Sequence, residues 1–328
     1  MLKKSVIRGA LLAVLLALTA CAQQPAELSL TLGGDIMLAR AGEPIFVDMD
    51  GAVNPWQELE SQDLLPDREE ELFFANLESP LGNPAPAAGE MNLCADSSLV
   101  SLLKTGHISL VSLANNHRED CAPDGEVDTQ VVLNEKKLQA AGVDLIPVFT
   151  ETSSGLLAVI AADDISGDLD VKTLVENVKE ARVQAQFVIV SMHWGEEYQG
   201  GPTERQETLA KQLADAGADV VWGHHPHVLQ RMQWLNSADG RRVLVLYSLG
   251  NLLADQWMLE DAQRSALVKL VFREGEIDKI EIIPLQMDHA PRQLTVVTDP
   301  EVSNLITGRL KLEQVAETGV EIALWQTR

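Results

Sequence analysis

The chain is predicted to fold as an α/β protein with much parallel strand pairing. Three observations carry this. Apolar runs of strand length alternate with segments of helical spacing from residue 28 to residue 222. Several of those runs end in Asp, Asn, Glu or His, where the carboxyl edge of a sheet would lie. Beyond His227 strand-like runs follow one another through the hairpin signals Asp239-Gly240 and Glu274-Gly275-Glu276, so that half should pair antiparallel.

Taken in order, residues 28–33 read as a strand, followed by a loop with Asp35. Residues 72–75 form a short buried strand that ends at Asn76-Leu77-Glu78. Helical spacing over 98–105 leads into a strand at 108–113, and a helix over 127–141 is closed by Gly142 as a C-terminal cap. Strands follow at 143–148 and 156–161, a helix at 171–185, a strand at 187–191, a helix at 203–216 and a strand at 219–222. The antiparallel half is read as strands at 228–235, 243–247, 266–272 and 277–284. A weak helical pattern over 301–317 carries no readable chemistry, and residues 84–89 read as a flexible loop.

The first twenty residues are expected to lie outside the fold. Lys3, Lys4 and Arg8 precede a short apolar run that ends at Leu18-Thr19-Ala20-Cys21. This is the layout of an export signal and not of a membrane span. Its end resembles the lipobox of bacterial lipoproteins, which implies cleavage before Cys21, a lipid on that cysteine and a tether over 21–27. Ala22 in place of Asp then favours the outer membrane, or the periplasmic face, if the host is Gram-negative. The division expected is a signal at 1–20, the tether, one domain over 28–290 and a C-terminal extension over 291–328. Loss of three positive charges would take the net charge from −24 to −27. So acidic a chain is not expected to bind nucleic acid, nor a bare anionic membrane without its acyl anchor. Cys94 and Cys121 are the other two cysteines. In an oxidising compartment they are expected to pair, pinning the loop that carries His117; two free thiols are the alternative.

The densest chemistry is Gly223-His224-His225-Pro226-His227, which puts three of seven histidines in four positions after the apolar run 219–222. Imidazoles crowded at a strand end are poor core material, since each ring has two polar nitrogens to satisfy. They are good ligands for transition metals. His117 and His193 stand at similar junctions. With Asp35, Asn76, Glu78 and Asn116 they form a donor set suited to Mn²⁺, Fe²⁺ or Zn²⁺, one or two ions in all. Two ions would clamp the attacking and leaving oxygens of an in-line displacement and activate a water. Asn116 would serve as ligand and His117 as the acid that protonates the leaving group. Arg40 either holds an anionic substrate or forms a surface salt bridge. Glu197 and Tyr198 either orient a ligand histidine or pack the loop.

Seven motifs in series resemble the CapA family, bacterial capsule-synthesis proteins linked to poly-γ-glutamate. They are Gly34-Asp35-Ile36-Met37-Leu38-Ala39-Arg40, Ala75-Asn76-Leu77-Glu78-Ser79-Pro80-Leu81, Ser112-Leu113-Ala114-Asn115-Asn116-His117, Gly125 with Asp128-Thr129, His193-Trp194-Gly195-Glu196-Glu197-Tyr198, Ala216 through Val228, and Ser248-Leu249-Gly250-Asn251. The resemblance spans residues 28–251. It implies a four-layer α/β/β/α sandwich similar to calcineurin-like metallophosphoesterases. It puts Asp35, Asn116, His193, His225 and His227 on ligand positions and His117 on that of the acid. It prefers His225 and His227 to His224 as ligands, and leaves Asn115 and His224 as neighbours of the ions or of substrate. Two departures stand out: Ile36-Met37 replaces the superfamily's first histidine ligand, and Asn76-Leu77-Glu78 replaces its second Gly-Asp, leaving Glu78 or Asn76 to bridge.

The function expected is therefore an exported, lipid-anchored, metal-dependent hydrolase acting on phosphoester or γ-glutamyl bonds of an anionic envelope polymer, beside other capsule or envelope synthesis proteins. The alternative is a non-catalytic, membrane-tethered scaffold of a synthesis and export complex. The acidic balance argues against a polyanion lying along the general surface.

Overall fold

The computed structural model describes residues 27–325 except 49–50, 68–70, 85–88, 90, 122–124, 168 and 312–319. The expected signal, Cys21 and all of the tether before Glu27 lie outside the described residues. Among the described residues no helix is long and apolar enough to cross a membrane.

Fifteen strands and five helices position the site. They are β1 Glu27–Ile36, β2 Glu71–Leu77, α1 Val100–Thr105, β3 Leu110–Ser112, α2 Gly125–Glu135, β4 Gln139–Ala141, β5 Val148–Thr152, β6 Gly155–Asp163, α3 Val171–Gln184 and β7 Phe187–His193. There follow α4 Glu204–Ala216, β8 Val220–His224, β9 Met232–Asn236, β10 Arg242–Leu246, β11 Asn251–Leu253, β12 Arg264–Arg273, β13 Glu276–His289, β14 Arg292–Val296, α5 Pro300–Leu310 and β15 Glu321–Leu324.

The strands form two main sheets. One runs β4-β3-β2-β1-β12-β13-β14, with β11 added beside β1 and β15 beside β13; the other runs β5-β6-β7-β8-β10-β9. In the first, β1 to β4 are mutually parallel and β12 to β14 antiparallel. In the second, β6, β7, β8 and β10 are parallel between antiparallel edges.

Strand alternation sorts the side chains into layers. Leu28, Leu30 and Leu32 of β1 pack with Phe187, Ile189 and Trp222 of the other sheet in a core between the two. Phe187 and Phe272 meet edge to face there at 4.9 Å. Val188, Val190 and Val221 point the opposite way, onto Leu174 and Val178 of α3 and Leu209 and Leu213 of α4. On the outer side of the first sheet, Phe73, Ala75 and Val111 cover Val100 and Leu103 of α1 and Leu133 of α2. Helices, two sheets and helices make the α/β/β/α sandwich that the motif series implied. Each layer is held by burial worth about 1.5–3 kcal/mol per large apolar side chain.

Several boundaries depart from the sequence reading. The helix expected to reach residue 141 stops at Glu135, where Lys137 turns left-handed (φ 58°) and its N–H bonds Asn134 O at 3.0 Å. Residues 139–141 become β4, because their backbone groups find Leu110, Val111 and Ser112 as parallel partners. Gly142 is thus a strand terminus and not a helix cap; a Cβ there would meet Ala114 N at 2.5 Å. The strand expected at 143–148 begins only at Val148, and the one expected from 228 begins at Met232. The half after His227 is not wholly antiparallel, since β10 pairs parallel with β8 and β11 with β1. Residue 290 is no structural boundary: β14 pairs with β13, and Ile306 and Leu310 of α5 enter the central core. Periodicity shows which faces are apolar but not which neighbour a strand will find, and these departures all turn on the neighbour.

Candidate metal centre

Parallel strands deliver their last residues to one edge. In the first sheet, register pairs Asp35 with Asn76, and Asn76 with Ser112. In the second it pairs Asp163 with His193, and His193 with His224. The sheets stack, so the two rows face each other. Trp222 Nε1 ties them, donating to Gly33 O at 2.9 Å. β1 kinks at this edge to admit β11: Asp35 N–H bonds Gly250 O at 3.0 Å, and a Cβ on Gly34 would lie 1.8 Å from that same oxygen. Gly34→Ala should therefore cost about 3 kcal/mol, the upper end of what overpacking costs. A denaturant titration would measure it, and the strand carrying Asp35 is the part that must move.

The cluster is fully or nearly buried. Asp35, Glu78 and His193 are 0% exposed, and His224, His225 and His227 no more than 6%. Asp35 is the hub: Oδ1 accepts from Asn76 Nδ2 at 2.8 Å, Oδ2 accepts from His225 N–H at 3.2 Å, and His224 and His227 each bring a Nδ1 within 3.4 Å. Burial by itself would raise its pKa, but those two imidazoles hold it well below the usual carboxylate range. Glu78 lies 3.7 Å from both His193 Nε2 and His227 Nε2. Burial pushes its carboxyl up to about 7. Burial likewise drives His193 well below the ordinary imidazole value and lowers His225. His227 is the exception: burial opposes its charge, yet the carboxylates of Glu78 and Asp35 raise it to about 9.

Around this hub the asparagines set orientation. Asn115 Nδ2 donates to Leu77 O at 2.9 Å and approaches Asn76 Oδ1 at 3.4 Å, and its own Oδ1 receives His117 N–H at 3.1 Å. Asn116 Oδ1 stands 2.8 Å from His193 Nε2. His117 bonds Asp120 Oδ2 through Nδ1 at 2.9 Å. Burial alone would lower its pKa, but Asp120 and Glu78 raise it. Cys94 and Cys121 are joined by a disulfide, which fastens the His117 loop just beyond Asp120. The backbone of the histidine run is left-handed at His225 (φ 93°) and His227 (φ 58°), an arrangement costing about 1–3 kcal/mol per residue that persists where neighbours over-determine it.

The donors fit a divalent transition metal. Both oxygens of Glu78 and Nδ1 of His225 are buried with no hydrogen-bond partner, as are both ring nitrogens of His224, which stacks edge-on against Trp222. An unpaired buried carboxylate costs several kcal/mol unless a cation or proton meets it. Three sets of donor atoms lie within 4.8 Å of one another: Glu78 with His193 and His225, Asp35 with Glu78 and His227, and Glu197 with His225 and His227. They share members, as a site for two adjacent ions would.

The sequence-derived residues thus converge, with three qualifications. Arg40 is bound by both oxygens of Asp255, at 2.8 and 2.9 Å, so the salt-bridge reading holds for it. Glu197 joins a donor set from an exposed position, while Tyr198 is half-exposed with its ring 6.0 Å from that of His227. His224 is in none of the three sets. Three residues went unassigned in the sequence: Asn251, whose Oδ1 meets His227 Nδ1 at 3.0 Å, and Asp120 and Asp255. Asn251 closes the Ser248-Leu249-Gly250-Asn251 motif, so its position was a signal; Asp120 had none beyond nearness to His117, and Asp255, 215 residues from Arg40, had none.

Two stacked sheets flanked by helices, with carboxylates and imidazoles gathered at their carboxyl edge, make a metallophosphoesterase-like fold. The chain belongs to the bacterial capsule synthesis protein PGA_cap family, which it matches over residues 29–145 and 147–256. It is 29% identical to the PGA biosynthesis protein CapA of Bacillus subtilis (strain 168), over 80% of this chain and 72% of that one. It is also 29% identical to the capsule biosynthesis protein CapA of Bacillus anthracis, over 83% and 71% of the two chains. Among solved structures it is similar to a phosphatase from Mycoplasma pneumoniae, with a TM-score of 0.54 at 13% identity over 85% of this chain and 96% of that one. A hypothetical protein from Thermus thermophilus gives 0.50 at 16% identity, over 79% and 99%. At such identities the likeness speaks for the fold.

Proposed function

We propose that this protein is a metal-dependent hydrolase of the cell envelope, acting on phosphoester or γ-glutamyl bonds in capsule polymer metabolism of the poly-γ-glutamate type. The observation that carries this reading is Glu78: a buried carboxylate without a hydrogen bond, facing two imidazoles at 3.7 Å. Asp35, Glu78, Asn116, His193, His225 and His227 would hold one or two ions of Mn, Fe or Zn. Bound there, such ions supply Lewis acidity toward a phosphoryl or carbonyl oxygen and an activated water. Asn76 fixes Asp35, and Asn251 takes the Nδ1 proton of His227, which leaves Nε2 as its donor. Asp120 holds the Nδ1 proton of His117 and favours the charged ring, so His117 can deliver a proton to a leaving group.

The lipobox-like Leu18-Thr19-Ala20-Cys21 supports export and a lipid anchor, which would set the domain at the membrane face among other envelope synthesis proteins. His117→Ala tests the catalytic role. It should keep its metal and lose about 10²- to 10⁴-fold in turnover, as removal of a general acid does. A scaffold would instead support polymer formation in cells unchanged after that substitution.

A further inference from the structure

We infer that the cleft beside the donor cluster takes a phosphoester with one anionic head and an aliphatic remainder; this deepens the hydrolase reading and rests on it. A cavity of about 280 Å³ opens onto the site, with His117, Glu197 and His227 in one wall. Its rim is apolar: Met91, Tyr198, Met258 and Leu259 all line it, and all four are exposed, Met91 to 66% and Met258 to 94%. Other large exposed apolar groups, such as Val127, Val131 and Val183, are helix-surface residues that do not line this cavity. Gathered on the lip of a polar site, four such groups lose exposed surface only when something apolar lies on them. Two of the four are methionines, whose flexible, polarisable side chains adapt to chains of varied shape.

The charges point the same way. Among the described residues lining the cavity, Arg40 is the one arginine or lysine, and Asp255 already holds it with both oxygens. Glu197 and Asp255 add carboxylates. A polymer with a carboxylate on every repeat would lie against these negative groups with no second arginine or lysine among the described lining residues to meet it. A single anionic head drawn to an ion that the donor cluster would hold, with an aliphatic chain along Met91, Met258 and Leu259, suits both halves of the cleft.

Calorimetry on the Mn²⁺-loaded full chain would test this with octylphosphonate, methylphosphonate and a γ-glutamyl oligomer. Octylphosphonate should bind about tenfold or more tighter than methylphosphonate. Met91→Gln combined with Met258→Gln should bring that ratio toward one. A ratio near one in the wild type, binding of neither phosphonate, a ratio unmoved by the double substitution, or tighter binding of the γ-glutamyl oligomer would each overturn the inference. Hydrolysis of octyl phosphate is assayed separately. An octyl preference without turnover supports this cleft assignment and removes the hydrolase reading, so the two fail apart.

Discussion

Glu78→Gln should stabilise the ion-free protein and abolish its stabilisation by metal, an inversion of sign that few structural residues would give. The buried carboxylate has no hydrogen bond on either oxygen. Its neutral isostere removes a desolvated acid at a gain of about 1–2 kcal/mol. In the wild type, Mn²⁺ at a hundredfold excess over its Kd should add about 2.7 kcal/mol, a rise of about 5 °C or more in unfolding temperature. The variant should show little of that rise. Scanning calorimetry of both proteins, with chelator and with metal, measures all four values. A carboxylate kept only for folding would make Glu78→Gln destabilising with and without metal alike. The wild-type rise should also depend on pH. Glu78 titrates near 7 and His227 near 9 in the ion-free protein, and both must shed protons to become ligands. Metal affinity should therefore strengthen as pH climbs from 6 toward 8, with protons released on binding.

Removal of the disulfide should have the largest effect on stability. Cys94 and Cys121 are 27 residues apart, and a cross-link closing a loop of that size contributes about 3.5 kcal/mol by restricting the unfolded chain. Cys94→Ser with Cys121→Ser should lose about that much in a urea titration. The local consequence matters as much. Asp120, adjacent to Cys121, holds the ring of His117 and also receives the Leu93 N–H, next to Cys94, at 2.6 Å. Without the bridge His117 should wander, so turnover should fall further than metal content does. Equal loss of both would mean that the bridge supports the whole edge and not this loop.

Much of the site was legible because polar residues that end apolar strands have few structural reasons to be there. Asp35, Asn76, His193 and the 224–227 run all close strands in the sequence, and the parallel register brings them together. Glu197 was harder, being a loop residue whose partners are set by tertiary folding. Asp120 and Asp255 were not legible at all: an acidic side chain three residues from a histidine has no fixed direction, and Asp255 stands 215 residues from Arg40, a pairing that only the fold brings about. The fold class followed from alternation of elements, while the four layers came from the motif series. The misplaced elements share one cause. Residues 139–141 carry helix-compatible side chains but sit beside the open edge of β3, and backbone pairing there outweighs a weak local preference. The strand pairing after residue 290 is likewise a long-range choice that local pattern does not encode.

Metal content tests the central claim most directly. Elemental mass spectrometry on the purified protein, wild type beside His225→Ala with His227→Ala, should find about one or two transition-metal ions per chain in the first and none in the second, with the far-UV circular dichroism of the two superimposable. A wild type that stays empty after reconstitution with Mn²⁺, Fe²⁺ and Zn²⁺ would contradict the account.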